Sequence, residues 1–438
     1  MTTSQEPMTT SQEPGTPRLT RRRFLHGSAL TGAAAFLAAC GTSGTGGASS
    51  SAATSGSPST APSTAPSGAP TEAPSSAAAT AEASSAAPSE TPAASPAAEI
   101  NVANWPLYID TDDDDSTKHK TLEDFKEKYG TTVNYSEVIN DNEEFFGTIQ
   151  PALRGGQDTG WDLIVVTDFM AARLIRLGWT ETLDLANMPN KVANLQDVYK
   201  GVDYDPTDDH HAPWQSGMTG LGYDAEVTGP LTSLEALWTE DDRWTGKVTF
   251  LSEMRDTVGL AALRKGKDPS VITAADVDEA IADIKTAVDS GIVRAFMGNE
   301  YAEELVSGNV VLAMAWSGDV IAKQGEKESL VWTLPDEGGL LFTDNMLIPK
   351  GAANKSTAEL FMDFVYDPAI AAQIAAWVNY VTPVKGAREV LAAEDSELAD
   401  SPLIFPPEAT LAKVKIFKTL TEAEETEYND KFSVVTGN

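Results

Sequence analysis

Between Gly41 and about Ala98 the chain holds no aromatic residue and no Val, Ile, Leu or Met. It is built almost wholly of Ser, Ala, Thr, Pro and Gly. Such a stretch cannot bury enough apolar surface to offset the entropy lost on ordering, so it is expected to stay an unstructured tether. A flexible coil of that length spans ~40–45 Å end to end. At Glu99 the composition changes abruptly. Any globular fold is therefore confined to residues 99–438, long enough for two compact halves.

The residues before the tether read as an address. Met1–Pro7 and Met8–Pro14 are the same heptapeptide, too short to be a structural repeat. Thr20-Arg21-Arg22-Arg23-Phe24-Leu25-His26, followed by a mildly apolar run to Ala39, resembles a twin-arginine export signal, with His26 where lysine is usual. Leu37-Ala38-Ala39-Cys40 resembles a bacterial lipobox. That resemblance makes residues 1–39 a lipoprotein signal peptide and Cys40 the lipidated first residue of the mature chain, held stably by two or more acyl chains. The twin-arginine and the general export route both remain open at this point.

The chain carries 65 acidic and 31 basic side chains, a formal net charge of −34. Residues 1–98 hold only four Arg and five Glu, so the acidity belongs to the folded part. It argues against a nucleic-acid partner, which needs a basic face, and suits a cationic ligand. A single cysteine excludes an intrachain disulfide and a paired-cysteine zinc site, and four histidines leave little material for metal chemistry. No cofactor and no metal is expected.

From Glu99 onward, strand and helix signals alternate. Strands are expected at Ile100–Trp105, Thr132–Val138, Leu163–Val166 and Val310–Trp316. Helices are expected at Thr117–Tyr129, Glu143–Leu153 and Ala171–Leu177, from Thr273 as cap to Val288, and at Ser356–Tyr366 and Pro368–Val378. The pattern predicts an α/β fold with mostly parallel strands, arranged as two sheets in two lobes with the ligand cleft between them.

There is no GxSxG, Walker, HExxH or GxGxxG motif. His210-His211 reads as a solvated loop. Asp110–Asp115 reads as a solvated acidic loop before a helix capped by Ser116, because Asp115 and Thr121 stand where an EF-hand requires Gly and Glu. What remains is a set of rings and acids at strand ends: Trp105, Tyr108, Asp168, Phe169, Trp316, Phe342, Asp344 and Tyr380. Aromatic faces and carboxylates together suit a cation with an aliphatic body. Glu253 and Asp256 also allow a carboxylate-pair hydrolase reading, although at helical spacing they lack a positioned nucleophile. A purely structural surface protein is the third class.

Several motifs occur in order along the chain: Asn104-Trp105 with Tyr108, Trp161–Val165 with Thr167, Met254-Arg255-Asp256-Thr257, Leu312–Gly318, Asp336–Gly339 through Asp344 to Pro349, and Tyr380-Val381-Thr382-Pro383. Together they resemble the bacterial polyamine-binding proteins, the spermidine/putrescine-type solute-binding components of ABC importers. The resemblance implies a two-lobed periplasmic-binding-protein type II fold with hinge crossovers near Pro213–Tyr223 and Gly339–Leu347. One lobe would take about 99–217 and 345–385, the other about 218–344 and 386–438, with residues 40–98 as tether. It implies a binding protein rather than an enzyme, a monomer anchored at the outer face of the cytoplasmic membrane that delivers ligand to a permease. Another small cation or a sugar is the alternative solute.

The implied ligand set is Trp105, Tyr108, Thr167, Asp168, Phe169, Glu253, Asp256, Trp316, Phe342, Asp344 and Tyr380. Trp316 would stack on the aliphatic chain, Asp344 would grip one amine, and Glu253 with Asp256 the other end. The chain departs from the family pattern in four respects: the acid pair Glu253 and Asp256 has its lengths exchanged, Phe169 replaces a tyrosine, Phe342 a tryptophan, and Gly298 a serine.

Overall fold

The computed structural model describes residues 95–112, 115 and 117–437. The export-signal, Cys40 and tether expectations lie outside the described residues, as do Asp113, Asp114 and Ser116.

The strands are β1 Glu99–Asn104, β2 Thr132–Glu137, β3 Leu163–Thr167, β4 Ala212–Asp224, β5 Val248–Leu251, β6 Val293–Met297, β7 Leu312–Trp316, β8 Leu330–Thr333, β9 Gly339–Leu347 and β10 Val414–Lys415. They form one ten-stranded sheet in the order β2-β1-β3-β9-β4-β7-β5-β6, with β10 beside β9 and β8 beside β4. The expected pair of separate sheets is thus corrected to a single continuous one. The reason lies in two long crossing strands. β9 pairs through Asp344–Leu347 with β3 and through Leu340–Met346 with β4. β4 in turn pairs through Thr219–Tyr223 with β7. Hydrogen bonding therefore never breaks between the β1–β3 half and the β5–β7 half. All thirteen residues of β4 are buried, as a strand covered on both faces must be.

The helices that matter for the site are α1 Lys120–Tyr129, α2 Asn142–Arg154, α3 Asp168–Arg176, α4 Met254–Arg264, α5 Ala274–Asp289, α6 Ser317–Lys323, α7 Lys355–Phe364, α8 Pro368–Val378 and α9 Glu422–Thr436. α5 is capped by Thr273, as expected, and Asp276 completes a capping box with it. Three expectations change. The helix expected from Thr117 begins at Lys120, after an N-cap at His119. The helix expected from Ala171 begins at Asp168, whose carboxylate accepts the Phe169 N–H at 2.7 Å, so Asp168 and Phe169 occupy a first helical turn. Asp110 is buried rather than solvated, accepting the backbone N–H of Thr121 at 3.0 Å and Gln373 Nε2 at 3.2 Å.

The histidine pair also differs from expectation. His211 is fully buried, and its Nδ1 lies 2.6 Å from Asp205 Oδ2. The Asp205 carboxylate folds back on the turn and also accepts the backbone N–H groups of His210 and His211. Ordering by one buried acid, invisible to local polarity, makes this loop part of the core.

Candidate functional site

All eleven residues singled out by the resemblance line one cavity of about 820 Å³. It is built from strand ends and the first helical turns that follow them. Trp105 and Tyr108 come from the loop after β1, Thr167, Asp168 and Phe169 from the β3–α3 junction, and Trp316 from the end of β7. Phe342 and Asp344 project from the crossing strand β9, and Tyr380 follows α8.

The rings form a chain of edge contacts. Trp105 meets Trp316 with centroids 6.2 Å apart at 71°, Trp316 meets Phe342 at 6.3 Å, Phe342 meets Tyr380 at 6.4 Å, and Tyr380 meets Tyr108 at 5.0 Å. Edge-to-face packing is the favoured arrangement for such quadrupoles. The close approach requires glycine at two points. A Cβ on Gly217 would lie 2.3 Å from the Phe342 ring, and one on Gly318 2.1 Å from the Tyr380 ring. Gly318→Ala is therefore expected to displace Tyr380 and cost roughly 1–3 kcal/mol by overpacking. A urea midpoint unchanged from the parent would show that Tyr380 is not held there.

Among the rings sit carboxylates. Asp344 accepts the Tyr108 hydroxyl at 2.6 Å and the Thr167 hydroxyl at 2.7 Å. Asp256 accepts the Thr219 hydroxyl at 2.7 Å and Trp316 Nε1 at 3.2 Å. Asp319 accepts the Tyr380 hydroxyl and Asn299 Nδ2, both at 2.9 Å, and the Tyr301 hydroxyl at 3.2 Å. None of the three is ion-paired with a Lys or Arg among the described residues. Burial in the absence of such a partner pushes Asp344 up to about 7, and Asp256 and Asp319 each to about 6, although their hydrogen bonds oppose the rise. Asp168 is likewise pushed up to about 6 by burial.

Glu253 behaves differently. Its Oε1 accepts both the backbone N–H and Nδ2 of Asn142 at 2.9 Å, tying α2 to the start of α4. Burial, then the neighbouring Asp141, holds it well above the usual carboxylate range. The acid pair is thus split: Asp256 stays with the rings, whereas Glu253 joins the two halves.

Asp319 and Arg255 were missed by sequence reasoning. Asp319 lies in the first turn of α6, directly after the Trp316-Ser317-Gly318 run, so an acid following a strand-end ring was the available signal. Arg255 lies over the Phe169 ring, 3.7 Å from its centroid, and contacts Glu425 Oε1 at 2.6 Å. The same Glu425 is also 3.0 Å from both Arg173 and Arg176 of α3. A ring in place of the family's tyrosine thus serves as a face for an internal guanidinium.

No group of three or more His, Cys, Asp or Glu able to hold a metal is present among the described residues, and no helix among them is long and apolar enough to cross a membrane. The family model for bacterial extracellular solute-binding proteins matches residues 120–406, well over half of the chain. The chain belongs to this family. The spermidine/putrescine-binding periplasmic protein of Escherichia coli K12 is 27% identical over 294 residues, covering 66% of this chain and 80% of that protein. The putrescine-binding periplasmic protein PotF of the same organism is 27% identical over 338 residues, covering 73% and 86%.

Among solved structures, the TpPotD lipoprotein of Treponema pallidum superposes with a TM-score of 0.64 at 19% identity, covering 78% of this chain and all of that one. The spermidine/putrescine substrate-binding protein PotD of Streptococcus pneumoniae gives 0.62 at 21%, covering 78% and 99%. These likenesses establish the two-lobed periplasmic-binding-protein fold. As a solute-binding protein the chain makes and breaks no bonds, which removes the hydrolase reading of Glu253 and Asp256.

Proposed function

We propose that this solute-binding protein captures a polyamine of the spermidine/putrescine class outside the membrane and hands it to an ABC permease. The observation that carries the reading is the set of three buried carboxylates, Asp256, Asp319 and Asp344, lacking ion partners among the described residues and enclosed by Trp105, Tyr108, Trp316, Phe342 and Tyr380. Ammonium groups supply the missing charge through charge-assisted hydrogen bonds, and the rings cover the methylenes between them. The names of the relatives support the same solute class. A neutral sugar would leave those carboxylates without countercharge. Because the lining comes from both lobes, Trp105, Tyr108 and Thr167 from one and Asp256, Trp316 and Asp319 from the other, ligand contacts both only when the lobes are closed, and so favours closure.

In this reading residues 1–39 are a signal peptide for the twin-arginine or the general export route, Cys40 bears the lipid, and residues 40–98 tether a monomeric two-lobed body. Mass spectrometry of the membrane-extracted protein is expected to find acyl groups on Cys40. A mature amino terminus upstream of it would contradict the anchor.

Calorimetry with putrescine, spermidine and spermine tests the ligand. At least one is expected to bind far below millimolar, while glucose and glutamate do not. The pH dependence has a definite sign. Cation binding needs ionised carboxylates, and the free site holds protons on Asp344 at about 7 and on Asp256 and Asp319 at about 6. Affinity is therefore expected to fall as pH drops from 8 to 5, with protons released on binding near pH 6–7. An affinity flat across that range would count against these acids as the cation grip.

A further inference from the structure

The cavity changes character toward solvent. Beyond the acids and rings its lining comes from residues 196–204 and from the C-terminal stretch 404–420. Apolar side chains dominate there: Val198, Tyr199, Phe405, Leu411, Ile416 and Phe417. Val198, Leu411 and Ile416 are 77%, 43% and 57% exposed. The bases in this part are already matched, Arg176 with Glu425 at 3.0 Å, Arg388 with Asp400 at 2.9 Å and Lys418 with Glu424 at 2.7 Å. Asp203 of this part is exposed, whereas Asp256, Asp319 and Asp344 are buried and come from other segments.

Size points the same way. A cavity of about 150 Å³ holds benzene, six heavy atoms, so a ten-atom triamine fills roughly 250 Å³ at that packing. The cavity here measures about 820 Å³. A bare polyamine would satisfy the acids and leave the larger part unfilled. An anion would find the bases of this part engaged, and the side chains Val198, Leu411 and Ile416 offer a cation no hydrogen-bond acceptor. A neutral hydrocarbon attached to the amine covers them without needing a charged partner. Two lining residues carry a buried polar atom that lacks a hydrogen-bond partner among the described residues, His211 Nε2 and Asn299 Oδ1.

We propose that the cavity takes a mono-N-acylated polyamine, its free ammonium end among Asp256, Asp319 and Asp344 and its acyl chain against Val198, Leu411 and Ile416. The inference deepens the polyamine reading and rests on it. The test is calorimetry of the full chain with spermidine, N1-acetylspermidine and N1-octanoylspermidine, repeated on the double variant Val198→Asn with Ile416→Asn. Both positions are solvent-exposed and lie outside the acid-and-ring cluster, so the spermidine arm also reports an intact fold. The octanoyl compound is expected to bind at least tenfold tighter than the acetyl compound. The double variant should reduce that advantage to threefold or less and leave the spermidine affinity unchanged. Equal affinity of the two acyl compounds, or a double variant that weakens all three ligands alike, overturns the acyl site while leaving the polyamine reading intact. Failure of all three to bind overturns both.

Discussion

Asp344→Asn is expected to weaken polyamine binding about 100-fold or more. The substitution preserves shape and leaves a hydrogen-bonding side chain beside Tyr108 and Thr167, while removing one charge from the cavity. Removing one partner of a buried charge-assisted pair costs about 2–5 kcal/mol, and each factor of ten corresponds to about 1.4 kcal/mol. The same variant should have the opposite effect on the ligand-free protein. Burial raises Asp344 to about 7 in the folded chain, well above its ordinary value of 3.8. Relative to the unfolded state, the folded protein therefore binds the extra proton between about pH 4 and 7, and this group's contribution to stability is lost as pH rises through that window. At pH 8 the ligand-free variant is expected to melt higher than the parent, and at pH 3.5 to melt nearly with it. A purely structural Asp344 would give a lower melting point at pH 8 and no loss of affinity.

Glu425→Ala is expected to give the largest loss of stability. The Glu425 carboxylate is 8% exposed and sits among Arg173, Arg176 and Arg255. Breaking a buried ion pair by removing one partner costs about 3–5 kcal/mol, because the remaining charge stays buried without compensation. Arg255 is the most affected, since Arg173 keeps Glu143 through Nη1 at 2.7 Å and Arg176 is exposed. Glu143→Gln is the comparison, because Glu143 is 43% exposed and an exposed pair contributes about 1 kcal/mol or less. Urea denaturation of the ligand-free variants measures both. Equal small losses would mean that the Glu425 cluster is solvated in solution.

The parts of this molecule that sequence made legible are those fixed by local physics. Alternation located β1, and a short apolar run β3, to within a residue or two, and β2 was placed as closely. Thr273 marked the start of α5 as a cap, and its capping-box partner Asp276 stands only three residues on. Trp316 and Asp344 stood out as a ring after an apolar strand and an acid after a Gly-Gly turn, although Asp344 lies within β9 rather than at a strand end. Less legible were features made by partners far apart in the chain. Glu253 could not be distinguished from Asp256 without knowing that Asn142, 111 residues earlier, turns two donors toward it. His211 looked solvated because the acid that buries it closes a loop rather than a helix or strand. Asp319 was overshadowed by the tryptophan before it, and its role emerges only where Tyr380, Asn299 and Tyr301 converge. The single sheet was missed for the same reason, since strand pairing across nearly two hundred residues leaves no periodic trace.

That long-range pairing constrains how the molecule is made. β3 is complete at Thr167, yet its neighbour on one side, Asp344–Leu347 of β9, is synthesised some 180 residues later. Until then a nascent or truncated chain carries Leu163–Thr167 as a bare apolar edge, the kind of surface on which strands of other molecules add. Chains ending before Leu347 should therefore aggregate or be degraded rather than accumulate as a stable amino-terminal fragment.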